Sequence, residues 1–374
     1  MGVDCGACQL ASAGCASVQS TDCMRCEVAE LLSGAGDRRT MLRGDAPTRR
    51  ALAIATACMA LAALLWGTSF YFIRIALTGF DAVTITFTRC LIGGLVVGTI
   101  ALGQRAMARR RAALRGDANA CAPRSAAVPI SVAAAGLFTA LALLGVALGQ
   151  GTVSSSVAGI VLGTVPVWTA AIVTARTRRR RSPLGSGSHR LLMALILGTV
   201  AVALPALGTN TTVTGIGLAL LLGAAISHAA SMVAVPVGVE RLGPILNTSL
   251  VMLVAAALLA PLALLHGGRV QPDQAAVLAL VEIGLLPTGL AYVAFFRAVA
   301  VLGAPRATVA IYLIPLVAVA TGTLIGGERL TAGALAGGVC AISALAITVL
   351  PQRSRSRSRL RSRRSATAAA SGSS

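Results

Sequence analysis

Three ionisable side chains interrupt otherwise apolar stretches of this 374-residue chain: Arg89, His228 and Glu282. An ionised group within hydrocarbon is costly unless it faces a partner or a cavity, so each is a functional candidate by default. Arg89 stands about eight residues, and Glu282 about seven, from the same membrane side, a depth of ~10–12 Å at helical rise. Matching depths allow an ion pair, and Arg89 could also hold a solute carboxylate through its planar fork. Both residues are expected to line or gate a path; the structural alternative has Arg89 snorkelling or bracing neighbouring helices and Glu282 hydrogen-bonded inside the bundle. His228 is either a neutral imidazole bonded to another helix or a proton relay or pore contact. Trp168, near mid-span, is a candidate wall of the path, whereas Trp66 fits a wall and an interfacial belt equally. Tyr292 and Tyr312 carry hydroxyls that need a partner, water or a solute.

A second group of chemically capable residues lies at the amino end. Cys5, Cys8, Cys23 and Cys26 form C-x2-C-x14-C-x2-C, close to the spacing with which two knuckles offer four thiolates to zinc. The flanking residues are small and lack aromatic or alternating strand patterns. Residues 1–50 are therefore expected to be a cytoplasmic, disordered extension, with the metal site as the alternative. Met41 would make a natural start.

The elements that must position the three buried ionisable groups follow from composition. With 56% hydrophobic and 12% charged residues and a mean hydropathy of +0.82, the chain is too apolar for a soluble domain of this length. Residues 125–175 hold no charged side chain and as a single helix would run ~77 Å, against a hydrocarbon core of ~30 Å. They must fold back, and the polar cluster Gln150-Gly151-Thr152 with Ser154–Ser156 is the natural turn. The same argument predicts ten spans, near 52–73, 82–102, 127–148, 153–175, 191–208, 213–234, 244–265, 275–297, 305–326 and 331–350. Their lengths suit helices rather than barrel strands of ~10 residues, so the expected fold is an all-α integral membrane bundle.

The basic residues set the orientation. All 32 are arginines, and all but Arg74, Arg89, Arg269 and Arg329 fall on one side of the predicted spans. The positive-inside rule places that side, and both termini, in the cytoplasm. The Arg/Ser-rich tail, residues 352–374, follows a span directly and is expected to be a disordered anchor attracted to anionic lipid rather than a nucleic-acid contact, despite the net charge of +20.

The chain also echoes itself. Pro166 and Pro315 centre two apolar segments 149 positions apart, and Gly136-Leu137 is matched by Gly284-Leu285 at an offset of 148. Each proline removes a helical hydrogen bond near mid-membrane and is expected to bend its helix. An odd number of spans per half makes the halves, 51–210 and 211–351, an inverted pair of five-helix repeats, the arrangement of carriers with a site where the halves meet.

Several segments resemble the EamA family of the drug/metabolite transporter superfamily. They are Trp66-Gly67-Thr68-Ser69-Phe70, Arg89-Cys90-Leu91, the run Pro287-Thr288-Gly289-Leu290-Ala291-Tyr292, the Leu302-Gly303-Ala304 turn before Arg306-Ala307, Pro315, and Gly327-Glu328-Arg329-Leu330-Thr331. The likeness covers about residues 52–350. It implies ten spans in two inverted repeats and export of a small metabolite such as an amino acid from the cell, across the plasma membrane. Many relatives carry an acidic residue before the proline of span 9, where this chain has Ile314. Proton coupling would then fall to Glu282 or His228, and a facilitated carrier is the alternative, as is drug efflux. Glu328 and Arg329 are expected to form an outer turn that caps the last span.

Other function classes find little footing. The spans hold no HExxH, GxSxG or paired aspartates, and no P-loop is present, so neither an enzyme nor ATP drive is expected. A non-transporting membrane protein would have to lean on the amino-terminal cysteines. No cofactor is implied. The expected partners are a small-molecule solute and the lipid bilayer; since ten spans can enclose a path in one chain, a single subunit and a homodimer are both open.

Overall fold

The computed structural model describes residues 48–114, 127–178, 187–204, 215–265, 272–302 and 309–349. Cys5, Cys8, Cys23, Cys26 and the Arg/Ser-rich tail lie outside the described residues. Every regular element among the described residues is helical: α1 (Arg49–Ala76), α2 (Ala82–Leu114), α3 (Ala127–Gln150), α4 (Ser155–Leu162), α5 (Val165–Arg178), α6 (Gly187–Ala203), α7 (Gly215–Ala234), α8 (Pro236–Leu242), α9 (Pro244–Leu265), α10 (Gln274–Leu285), a π-turn at Leu286–Leu290, α11 (Ala291–Leu302), α12 (Val309–Leu324) and α13 (Ala332–Val349). Among the described residues, seven helical segments are long and apolar enough to cross a membrane, and three shorter apolar helices occupy 192–201, 313–324 and 332–344. Leucines with no packing role in the bundle stand open on the outside, as at Leu264, Leu265 and Leu324. That surface suits acyl chains, not water.

Two predicted spans are interrupted. The 153–175 span breaks at Gly163-Thr164, which places Pro166 in the first turn of α5, where its missing N–H costs nothing. Pro315 instead lies inside the continuous α12. The two prolines echo each other in sequence but occupy different helical contexts. The 275–297 span is interrupted by the π-turn around Pro287.

Helices that follow one another in sequence pack less extensively than helices from opposite halves. α1 lies against α10, α11 and α12; α2 against α9 and α10; α3 against α7 and α9; α4 against α12; α5 against α7; and α6 against α13. Each of these pairs joins the first half of the chain to the second. Between apolar helices in lipid, association rests on close packing and polar contacts, and small residues allow both. A Cβ built on Gly163 would stand 2.6 Å from Pro315 Cγ, and one on Gly159 would collide with Ala318 Cβ. Gly136 sits against Val254 of α9, and its sequence counterpart Gly284 against Ile92 of α2. Hydroxyls add polar links across the same seam: Ser249 Oγ donates to Gly94 O at 2.8 Å, Ser131 Oγ to Ala234 O at 2.6 Å, and Thr139 and Ser231 share a bond of 2.8 Å.

Enlarging a glycine at the α4–α12 crossing should therefore separate the halves. Gly163→Leu is expected to lower the thermal midpoint of the purified protein in detergent, with overpacking costing about 1–3 kcal/mol. Gly223→Leu, on α7 with open space around it, should leave the midpoint unchanged.

Candidate functional site

The π-turn of the 275–297 span positions the most polar group in the bundle interior. Pro287 has no N–H to donate to the carbonyl four residues back, that of Ile283. The Thr288 hydroxyl donates to that carbonyl instead, at 2.7 Å. The same hydroxyl oxygen accepts Arg89 Nε–H at 3.2 Å. The Pro287 carbonyl in turn accepts the indole N–H of Trp66 at 3.0 Å. Two first-half helices, α1 and α2, are thus tied by single hydrogen bonds to an irregular turn of the second half. Such single-turn π insertions frequently mark functional sites.

Arg89 is 7% exposed. Only its Nε–H is bonded; the terminal nitrogens have no hydrogen-bond partner among the described residues, yet they are not sealed by packing. The Tyr292 hydroxyl and the half-buried His228 imidazole share that condition. Glu282, Tyr292 and His228 fall within electrostatic range of the Arg89 guanidinium. No Arg89–Glu282 ion pair closes within 4.0 Å, and Glu282 Oε2 is buried without a partner. The pairing that equal depth allowed is absent in this conformation.

Aromatic rings wall one side of the cluster. Trp66 meets Tyr292 edge-on, with centroids 5.3 Å apart at 71°, and Phe295 at 5.3 Å. Phe296 extends the group from Tyr292 and Phe295. Trp168 stands apart from these rings: it is half-buried on α5 and its indole donates to Thr164 Oγ1 one turn away, at 3.2 Å. The Tyr312 side chain lies outside the described residues. Pro166 and Pro315 belong to the crossing segments rather than to the Arg89 cluster. Thr288 and the Trp66–Pro287 bond were not foreseen in the sequence, although Pro-Thr-Gly inside an apolar span was a signal that the helix could not run on undisturbed.

A second polar cluster gathers at the 325–331 turn. Glu328 does not cap its own following helix; Thr331 does, accepting from Ala334 N at 3.1 Å. The Glu328 carboxylate reaches instead to the amino end of α4. Oε1 accepts Ser155 N at 2.9 Å and Ser155 Oγ at 2.6 Å, and Oε2 accepts Ser156 N at 3.0 Å and Ser156 Oγ at 2.6 Å. Arg74 Nη1 of α1 completes the set at 2.9 Å. A carboxylate at a helix amino terminus meets both unpaired N–H groups and the positive end of the helix dipole. Burial alone would raise this carboxyl, but the bonds from Ser155 and Ser156 outweigh it and hold the group below the usual carboxylate value. Gly322 leaves room for the arrangement, since a Cβ there would stand 2.5 Å from Glu328 Oε2.

Comparison with known proteins bears on what such an arrangement serves. The sequence model of the EamA-like transporter family matches residues 53–204 and again residues 215–350. No curated protein matches the chain. A solved structure described only as "Crystal structure of protein" is similar at a TM-score of 0.51 and 19% identity, over 80% of this chain and 98% of that one. That likeness concerns the fold.

Because the Glu328 carboxyl is held low, its contribution to stability is present above the unfolded carboxylate pKa of ~4.3 and is lost as pH falls through the lower folded value. Glu328→Gln should cost about 1–3 kcal/mol at neutral pH, with the difference from the parent protein vanishing in acid. Thermal unfolding in detergent across pH 3–8 checks this.

Proposed function

The chain belongs to the EamA-like transporter family, a family of membrane transporters, and on that premise we propose that it is a secondary carrier exporting a small metabolite, such as an amino acid, by alternating access. In this reading ten spans form two inverted five-helix repeats, 51–210 and 211–351, in the plasma membrane with both termini in the cytoplasm. The packing supports it. Counting α4–α5 and α10–α11 as one span each, replacing every span of the first half by its counterpart in the second turns the α3–α7 pair into the α1–α10/α11 pair. It turns α1–α12 into α5–α7 and α2–α10 into α3–α9, and it returns α2–α9, α4–α12 and α6–α13 to themselves. A bundle whose neighbours exchange in this way can rock between two related states about its own axis. The one-sided arginine distribution supports the inversion.

The observation that carries the reading is the Arg89 cluster at the seam between the halves. Tyr292, Glu282, His228 and Trp66 come from both halves, so relative movement of the repeats would remodel the cluster and alter its access. Trp168, Tyr312, Pro166 and Pro315 are assigned to the path or to its bends in the same scheme. The side fastened by Glu328 is the outer one, and Arg74–Glu328–Ser155/Ser156 acts as its closure. With Ile314 before Pro315, any coupled proton must use Glu282 or His228; uncoupled movement down a gradient is the alternative.

A screen of amino acids, nucleosides and toxic analogues in overexpressing cells should reveal resistance to the exported class. Arg89→Ala and Glu282→Gln, each reaching the membrane at parental level, are expected to cut efflux of that compound at least tenfold. Parental rates in both variants would remove the cluster from the path.

A further inference from the structure

We infer that the free fork of Arg89 is the binding site for a carboxylate of the transported solute, whose apolar body lies along Trp66 and Tyr292. The inference rests on the carrier reading above and narrows its substrate class. Arg89 keeps one donor, Nε–H, on Thr288 and leaves its terminal nitrogens unbonded and unsealed, although the residue as a whole is 93% buried by its 7% exposure. A guanidinium this deep in an apolar bundle would normally spend its donors on carbonyls or a carboxylate, because unpaired donors there are costly. Glu282, the acidic group in its field, does not take the role. The vacant donors form a planar pair that matches the two oxygens of a carboxylate.

The surroundings choose among oxyanions. Arg89 is the one buried cation among the described residues, so a monocarboxylate matches its single charge where a phosphate dianion does not. Trp66 and Tyr292 offer an apolar face fixed by the indole bond to Pro287 and by their edge-on contact, at 5.3 Å between centroids. Thr288 is a positioning residue: it engages Nε–H at the π-turn, through a hydroxyl itself fixed on the Ile283 carbonyl, and leaves the terminal nitrogens for the solute.

The test measures binding to the full-length protein in detergent, without transport. Benzoate and 3-phenylpropionate, each against its own amide, would be titrated by thermal shift and calorimetry, with inorganic phosphate and sodium chloride as further arms. The acids are expected to bind and the amides, equal in shape but uncharged, to bind at least tenfold more weakly. Arg89→Lys keeps the charge and loses the fork, and should also weaken the acids at least tenfold; a merely structural charge would be rescued by lysine. Thr288→Val should weaken the acids by less, and Thr288→Ser should restore them. Acids and amides binding alike, phosphate or chloride outcompeting the acids, or parental affinity in Arg89→Lys would each overturn the inference. Acid-selective binding without any efflux activity would sink the carrier reading and leave the anchor standing; efflux of an uncharged compound with no acid binding would do the reverse.

Discussion

Close approach of backbones across the seam between the two halves is the constraint on which the rest of the structure depends. In lipid, apolar side chains gain little by leaving one hydrocarbon surface for another, so helices stay together through packing and a few polar bonds. This chain provides both at the same places. Gly159 and Gly163 bring α4 against Ala318 and Pro315, while Gly94 and Ser249 bring α2 against α9 through a backbone-directed hydroxyl. The consequence is that, among the described residues, neither half has a core of its own. The hydrophobic cluster containing Phe70, Ile85, Val157, Leu221, Ile283 and Ala318 draws on both.

That shared core has polar points near its middle and at one end, and they differ in kind. The middle one is loosely satisfied: Arg89 uses one donor, Glu282 Oε2 none, and the irregular turn at Pro287 links them to α1 and α2. The end one is saturated, with four hydrogen bonds and an ion pair on a single carboxylate. In the proposed alternating-access cycle, the first point would exchange partners with the substrate while the second would hold its side shut. Proline contributes at the first of these points through what it lacks. Without an N–H at Pro287, the Ile283 carbonyl is open to Thr288, and Thr288 is thereby oriented to receive Arg89.

Much of this was legible in the residues themselves. Apolar runs of helical length, the one-sided arginines and the repeated Gly136/Gly284 and Pro166/Pro315 positions specify a duplicated membrane protein, because bilayer thickness and charge placement act on local sequence. Arg89 as a charge inside an apolar run was legible for the same reason, whereas its burial, rather than escape by snorkelling, was decided by the packing. Other features depend on residues more than a hundred positions apart. Glu328 was expected to cap the helix that follows it, and its carboxylate instead caps α4, which Ser155 and Ser156 begin.

The sequence by itself determined that the chain is a multi-pass membrane protein, the doubling of the chain and the place of Arg89 as a charge within an apolar helix. Hydrophobicity and spacing are properties of a single segment, and the bilayer reads them segment by segment. Only the tertiary structure decided that the halves interleave, that Arg89 bonds Thr288 rather than Glu282, and that Trp66 joins Tyr292 at the π-turn. Those outcomes depend on which helix faces are brought within a few ångströms of one another. That is set by mutual packing of the whole bundle, which no one segment encodes.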